Sequence, residues 1–123
     1  MMKQVLFVGL GGALGSMLRY LTTVVTEKYY TASFPVATFI VNVAGCLLAG
    51  LIFGMITQET TEAQNLKFLL ITGFCGGFTT FSAFALENVR LMTSGNATVA
   101  VMYALASIAA GLLAVWIGLV ITR

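Results

Sequence analysis

Thr79, Thr80 and Ser82 crowd three hydroxyls into four residues of the stretch GFCGGFTTFSAF, Gly73 to Phe84. Phe81 and Phe84 stand three apart in the same stretch, so a helix presents both rings on one face. Asn42 lies within the apolar run ATFIVNVAGC, and Tyr103 and Ser107 are four apart in the last apolar segment. All of these are neutral, and no lysine, arginine or carboxylate lies at the centre of an apolar span. Neutral dipoles suit a weakly coupled anion path, and the electropositive edges of phenyl rings can join it. Lipid or core contact is the plainer reading of the two rings; the hydroxyls and glycines beside them favour the path. An unsatisfied buried amide costs free energy, so Asn42 either bonds a neighbouring helix or faces that path, the former being commoner. Other chemistry finds little material. Histidine is absent and there are four carboxylates. Cys46 and Cys75 lack metal-ligand spacing and read as small packing residues.

These side chains need elements to hold them, and composition decides which kind. Of 123 residues, 59% are hydrophobic and 8% charged, against about a quarter charged in soluble domains. The chain therefore reads as an all-α integral membrane protein. A net charge of +2 without a basic run argues against a nucleic-acid partner. Apolar spans fall at about residues 4–25, 34–56, 66–92 and 98–121, each compatible with the roughly 20 residues that cross a bilayer. The polar connections TEKYYTAS, TQETTEAQN and TSGN join them into one membrane domain. The first apolar run continues past Gly15 to Arg19 without a small-x-small cleavage site, so it reads as a retained helix, not a signal peptide. The glycines between Gly9 and Gly15 resemble a dinucleotide loop but follow no strand, and no enzyme site can be assembled.

The third span, at 27 residues, is longer than one straight crossing needs. Gly76 and Gly77 lower helical preference and the β-branched Thr79 and Thr80 follow, so a mid-membrane break is expected there. Opened carbonyls in lipid must find partners, and such backbone is tolerated where it lines a cavity or coordinates an ion. The alternative is a tight glycine crossing in which the hydroxyls bond back one turn; the crowding of GG, TT and FS favours the functional break. Lysine and arginine are split evenly across a four-span topology: Lys3, Lys67 and Arg123 against Arg19, Lys28 and Arg90. With so little bias to orient it, the chain is expected to insert both ways and to work as an inverted pair, though six charges are a small sample. Gly11 with Gly15, and Gly50 with Gly54, form small-xxx-small pairs that support helix association. Packing within one subunit explains them equally well, yet four thin helices can hardly enclose a hydrated path, which favours a dimer. In an inverted pair both breaks meet on the two-fold axis, where converging carbonyls suit a hard cation such as sodium, held as a structural rivet. Arg19, about two turns from its span's end, either snorkels or attracts anions to a vestibule. Glu87, two turns past the break, either caps donors or lines a vestibule.

At these residues the sequence resembles the Fluc (CrcB) fluoride channel family. The resemblance runs the length of the chain: GGALGSMLRY, PVATFIVN, TGFCGGFTTFSAFALE and the Tyr103–Ser107 face. It implies a dual-topology homodimer in the cell membrane of a prokaryote, with two antiparallel paths that export cytoplasmic fluoride passively. It further implies that carbonyls of Gly76 and Thr79 hold a central sodium ion. Phe81 and Phe84 become the rings of the fluoride path, with Asn42 reaching towards them and Thr80 and Ser82 adding hydroxyls. Tyr103 and Ser107 become a polar track, and Arg19 and Glu87 vestibule residues. This chain departs from the family's pattern at Ala37, Ala83 and Gly111, the last two of which reduce the hydroxyls offered to the ion. Small, tightly hydrated fluoride needs many moderate donors, whereas a formal positive charge at the narrowest point binds it too firmly to release. Two rival readings remain. A small multidrug exporter needs a membrane-embedded carboxylate, which the first span lacks, and a non-conducting assembly subunit leaves the hydroxyl-rich break without a purpose.

Overall fold

Long runs of Leu, Val, Ile and Ala without charge must satisfy every backbone N–H and C=O within their own segment once in lipid, and only helices do this span by span. The computed structural model, describing residues 1–123, is helical throughout. Its elements are α1 (Met2–Tyr29), α2 (Val36–Met55), α3 (Thr61–Lys67), a π-helical segment π1 (Phe68–Cys75), α4 (Gly76–Phe78), α5 (Phe81–Thr93) and α6 (Ala97–Ile121). Elements α3 to α5 form one bent crossing, so four stretches are long and apolar enough to span a membrane. The chain is a multi-pass membrane protein.

Local chemistry sets the ends. α1 runs on to Tyr29, because TEKY can stay helical and the Tyr30 N–H closes on the Thr26 carbonyl at 2.9 Å. The third crossing starts at Thr61, ahead of the apolar run, because the Thr60 hydroxyl accepts from the Ala63 N–H at 3.2 Å, an N-cap supported by Glu62 in the first turn. Between α5 and α6, Gly95 takes φ 85° and the Asn96 N–H reaches back to the Leu91 carbonyl at 2.8 Å. That is a Schellman stop, which a residue with a Cβ closes less readily.

The expected break is present, at its threonines rather than its glycines. Gly76 and Gly77 are helical; the extended residues are Thr79 (φ −82°, ψ 158°) and Thr80 (φ −150°, ψ 120°). Gly77 serves a different need. A Cβ there would lie 3.0 Å from the Cα of Gly12, so its bareness lets α1 cross against the backbone. Upstream, π1 was not anticipated: residues 68–75 wind more widely than an α-helix.

The glycine pairs also find a use that differs from the one favoured above. Gly11 and Gly15 are buried, with the backbone of Leu69 and Phe74 where their side chains would be. Gly50 and Gly118 let α2 and α6 touch backbone to backbone, and Gly54 accommodates Thr122. Both stripes are consumed inside one subunit, so they lend no support to a dimer. Only 16 of 123 residues are buried, and large apolar side chains such as Leu112 and Trp116 face outward, as expected where lipid is the surrounding medium. The core centres on Leu91, Ala100 and Tyr103, with Phe34, Phe39 and Phe84 against it.

Candidate functional site

Thr80 is the pivot of the break. A continuing helix would send its N–H to the Gly76 carbonyl; instead it donates to Asn42 Oδ1 at 2.7 Å. Asn42 Nδ2 in turn donates to the Thr80 carbonyl at 3.2 Å. One amide thus clamps both backbone groups of one extended residue, which is the interhelical bond expected of a lone asparagine. The Thr80 hydroxyl accepts from the Ala83 N–H at 3.2 Å and so caps the new helix α5, while pairing with Ser82 Oγ at 3.2 Å. Thr79 bonds back, its hydroxyl donating to the Cys75 carbonyl at 2.8 Å.

These choices fix which carbonyls stay open. Gly76 loses its helical donor because the Thr80 N–H turns to Asn42, and Thr79 loses its own because the Ala83 N–H turns to the Thr80 hydroxyl. The Gly77 carbonyl is covered by Arg19, whose Nε donates to it at 3.0 Å. Arg19 therefore points inward to the break and does not snorkel to the surface. The Phe78 carbonyl is open in the same way as those of Gly76 and Thr79, since the Ser82 N–H that a continuing helix would offer it makes no such bond. Of these, Gly76 and Thr79 are the residues expected to hold a cation.

Beside the break lies a cleft of about 250 Å³. Asn42 and Cys46 line it from α2, Thr79, Thr80, Phe81 and Phe84 from the break and α5, and Ser107 and Gly111 from α6. The Phe81 and Phe84 rings lie 5.7 Å apart, and Phe81 is 79% exposed. The Ser107 hydroxyl is closed off from solvent and has no hydrogen-bond partner. The Asn42 amide keeps a second N–H beyond the one given to Thr80, so the cleft holds several uncommitted neutral donors.

One turn further along α5, Glu87 is held from two sides. Thr38 Oγ1 donates to Oε1 at 2.6 Å and the Tyr103 hydroxyl donates to Oε2 at 2.9 Å. Tyr103 is fully buried, with the Phe84 ring 5.1 Å and the Phe34 ring 5.2 Å away. Glu87 also borders a wider cleft of about 320 Å³ that opens among Thr23, Glu27, Ser33 and Arg90; Arg19 does not line it. Glu87 therefore accepts from two local donors and borders this cleft as well.

The structure gathers Asn42, Thr79, Thr80, Phe81, Phe84 and Ser107 at one cleft, with Gly76 behind it, and joins Tyr103 to Glu87. Sequence reasoning passed over Thr38, which bonds Glu87, and Cys46, which lines the cleft. Both stand with Asn42 at i, i+4 and i+8 on α2, and that spacing was the available signal.

Comparison with known proteins covers nearly the whole chain. Residues 6–119 match the family model described as CrcB-like protein, Camphor Resistance (CrcB). A fluoride-specific ion channel FluC of Flavobacterium psychrophilum is 51% identical over 99% of this chain and 98% of its own length. A FluC 2 of Rhodococcus jostii is 53% identical over 96% and 97%, and a FluC of Azobacteroides pseudotrichonymphae is 42% identical over 100% and 98%. These relatives are ion channels, not enzymes. With a family model covering nearly its whole length and relatives this similar end to end, the chain belongs to the CrcB-like family of prokaryotic membrane proteins.

Proposed function

We propose that this chain is a fluoride channel through which cytoplasmic fluoride leaves the cell passively, and that it works as a pair of oppositely oriented copies. The observation that carries this reading is the cleft at the break, where uncommitted neutral donors and two phenyl rings meet without a fixed positive charge. Fluoride gives up strong water contacts to enter a pore, so it needs several replacements. None can be so strong that the ion stays. The paired hydroxyls of Thr80 and Ser82, the Ser107 hydroxyl, the spare Asn42 N–H and the edges of Phe81 and Phe84 meet that requirement. Arg19, committed to the Gly77 carbonyl, holds the break and leaves the passage neutral.

The inverted pair is supported by exposure at the wrong depth for a lone chain. Ser82 is exposed, near the middle of the Thr61–Thr93 crossing, and the Gly76 and Thr79 carbonyls lack the backbone donors of a continuing helix. Polar backbone at that depth is stable only when covered by protein or lining water. A second copy placed upside down supplies the cover, and the even split of lysine and arginine leaves the chain free to insert that way. Gly76 and Thr79 from both copies would then hold a sodium ion; their open carbonyls fit a hard cation, whose charge would neutralise converging oxygens and fasten the pair.

The test is fluoride-electrode recording of efflux from liposomes that contain only this purified chain, with chloride as the control ion. The expected result is rapid fluoride efflux that is lost when Phe81 and Phe84 are both changed to Ile, with folding intact. Undiminished efflux from that double variant refutes the role given to the rings.

A further inference from the structure

The hydroxyl row on α6 ends early. Tyr103, Ser107 and Gly111 are spaced i, i+4 and i+8 on one face of α6 (Ala97–Ile121), yet Gly111 carries no side chain to continue the series. Cys46 faces that position from across the cleft: a Cβ on Gly111 would lie 3.6 Å from its sulfur, in ordinary contact. Cys46 is half-buried, unpaired with any other sulfur, and lines the same cleft as Asn42, Phe81 and Ser107. A second observation concerns the same wall of the cleft. The Ser107 hydroxyl, one turn before Gly111, is shut away from solvent and bonds no protein group, although such buried groups are almost always satisfied.

We infer that Cys46 is an ion-path residue, its thiol continuing from α2 the row of donors that α6 leaves off at Gly111. The inference rests on the fluoride reading proposed above and adds a donor to it. A thiol is a weak donor with a polarizable acceptor sulfur, so at mid-membrane it adds one more moderate contact without holding the ion fast. Gly111 is the partner in this arrangement, because a larger residue there would compete with the sulfur for the same volume. Cys75 differs: it is buried and does not line the cleft.

The experiment separates donor from filler with the full chain in liposomes and a fluoride electrode. Cys46→Ser, which keeps a donor, is expected to hold efflux within about threefold of the parent, while Cys46→Ala and Cys46→Val lower it about tenfold, the scale of one hydrogen bond lost at the barrier. Cys46→Val fills the volume, so a packing role predicts parental efflux for it. The decisive readout is rescue: Gly111→Ser added to Cys46→Ala returns a donor to the same space from the other helix and is expected to recover most of the efflux. Parental efflux from Cys46→Val, or no recovery in the double variant, overturns the inference while leaving the channel reading intact. A parent chain that passes no fluoride overturns the channel reading itself, and this inference with it. Helix content and monodisperse elution identify any variant that has merely failed to fold, in which case Cys46→Ser and Cys46→Val decide between donor and filler.

Discussion

Glu87 shows how far single side chains could be read in advance. Its place two turns beyond the break was visible, and one of its proposed uses, accepting from local donors, is what the structure shows. The two donors were not visible, because Thr38 and Tyr103 lie 49 and 16 residues away and only the packing of α2, α5 and α6 brings them to one carboxylate. Removing an acceptor that satisfies two buried hydroxyls should cost about 1–3 kcal/mol for each one stranded. Glu87→Leu is therefore expected to lower the thermal unfolding midpoint clearly in detergent, and Glu87→Gln to lower it less, since the amide oxygen still accepts one bond. Equal midpoints for the two variants would show that the hydroxyls find other partners. Asn42 illustrates the same boundary: a polar residue in an apolar span announces that it needs a partner, but not that the partner is the backbone of Thr80.

At the level of elements, the break and its place in the GG and TT stretch could be inferred from composition, but not which of those residues would open. Glycines weaken a helix when nothing else decides, but here close helix crossing decides, and Gly76 and Gly77 stay helical. The chain opens at the threonines because Asn42 supplies Thr80 with replacement partners for both of its backbone groups. Gly77→Ala is expected to destabilise the protein by more than about 1 kcal/mol, because its Cβ meets the Gly12 backbone and the helices must separate. Gly9→Ala provides the contrast, since nothing lies within 4 Å of its Cβ position, and alanine favours a helix by about 1 kcal/mol over glycine. Opposite shifts in the unfolding midpoints of the two variants are the expected outcome. A matching loss in both would mean that glycine acts here through something other than clearance. The π turns carried no comparable signal, since FLLITGFC has no feature that distinguishes a π-helix from an α-helix; packing against α1 is what selects it.

For the whole molecule, the four crossings were legible because apolar length is a strong signal, and the family because the motifs extend from α1 to α6. The mutual arrangement of two copies is not written in either, and charge balance is the lever that tests it. Ser94→Lys with Asn96→Lys adds two charges to one face of the membrane, and Gln58→Lys with Gln64→Lys adds two to the other. Each double variant expressed alone should be driven into a single orientation and should fail to protect fluoride-sensitive cells, whereas the two expressed together should restore protection. Full protection by either alone would show that a common orientation suffices. The wide turns of π1 carry a consequence of their own for the assembled protein. A helix wound this way holds a residue more than an α-helix of equal rise, so it acts as a spacer that sets the azimuth of everything downstream. Deleting Leu70 should let the segment relax to ordinary winding and swing residues 76–84 by up to about 100°. The deletant is expected to stay folded and membrane-inserted yet carry no current, a protein with its parts in sequence and its aim lost.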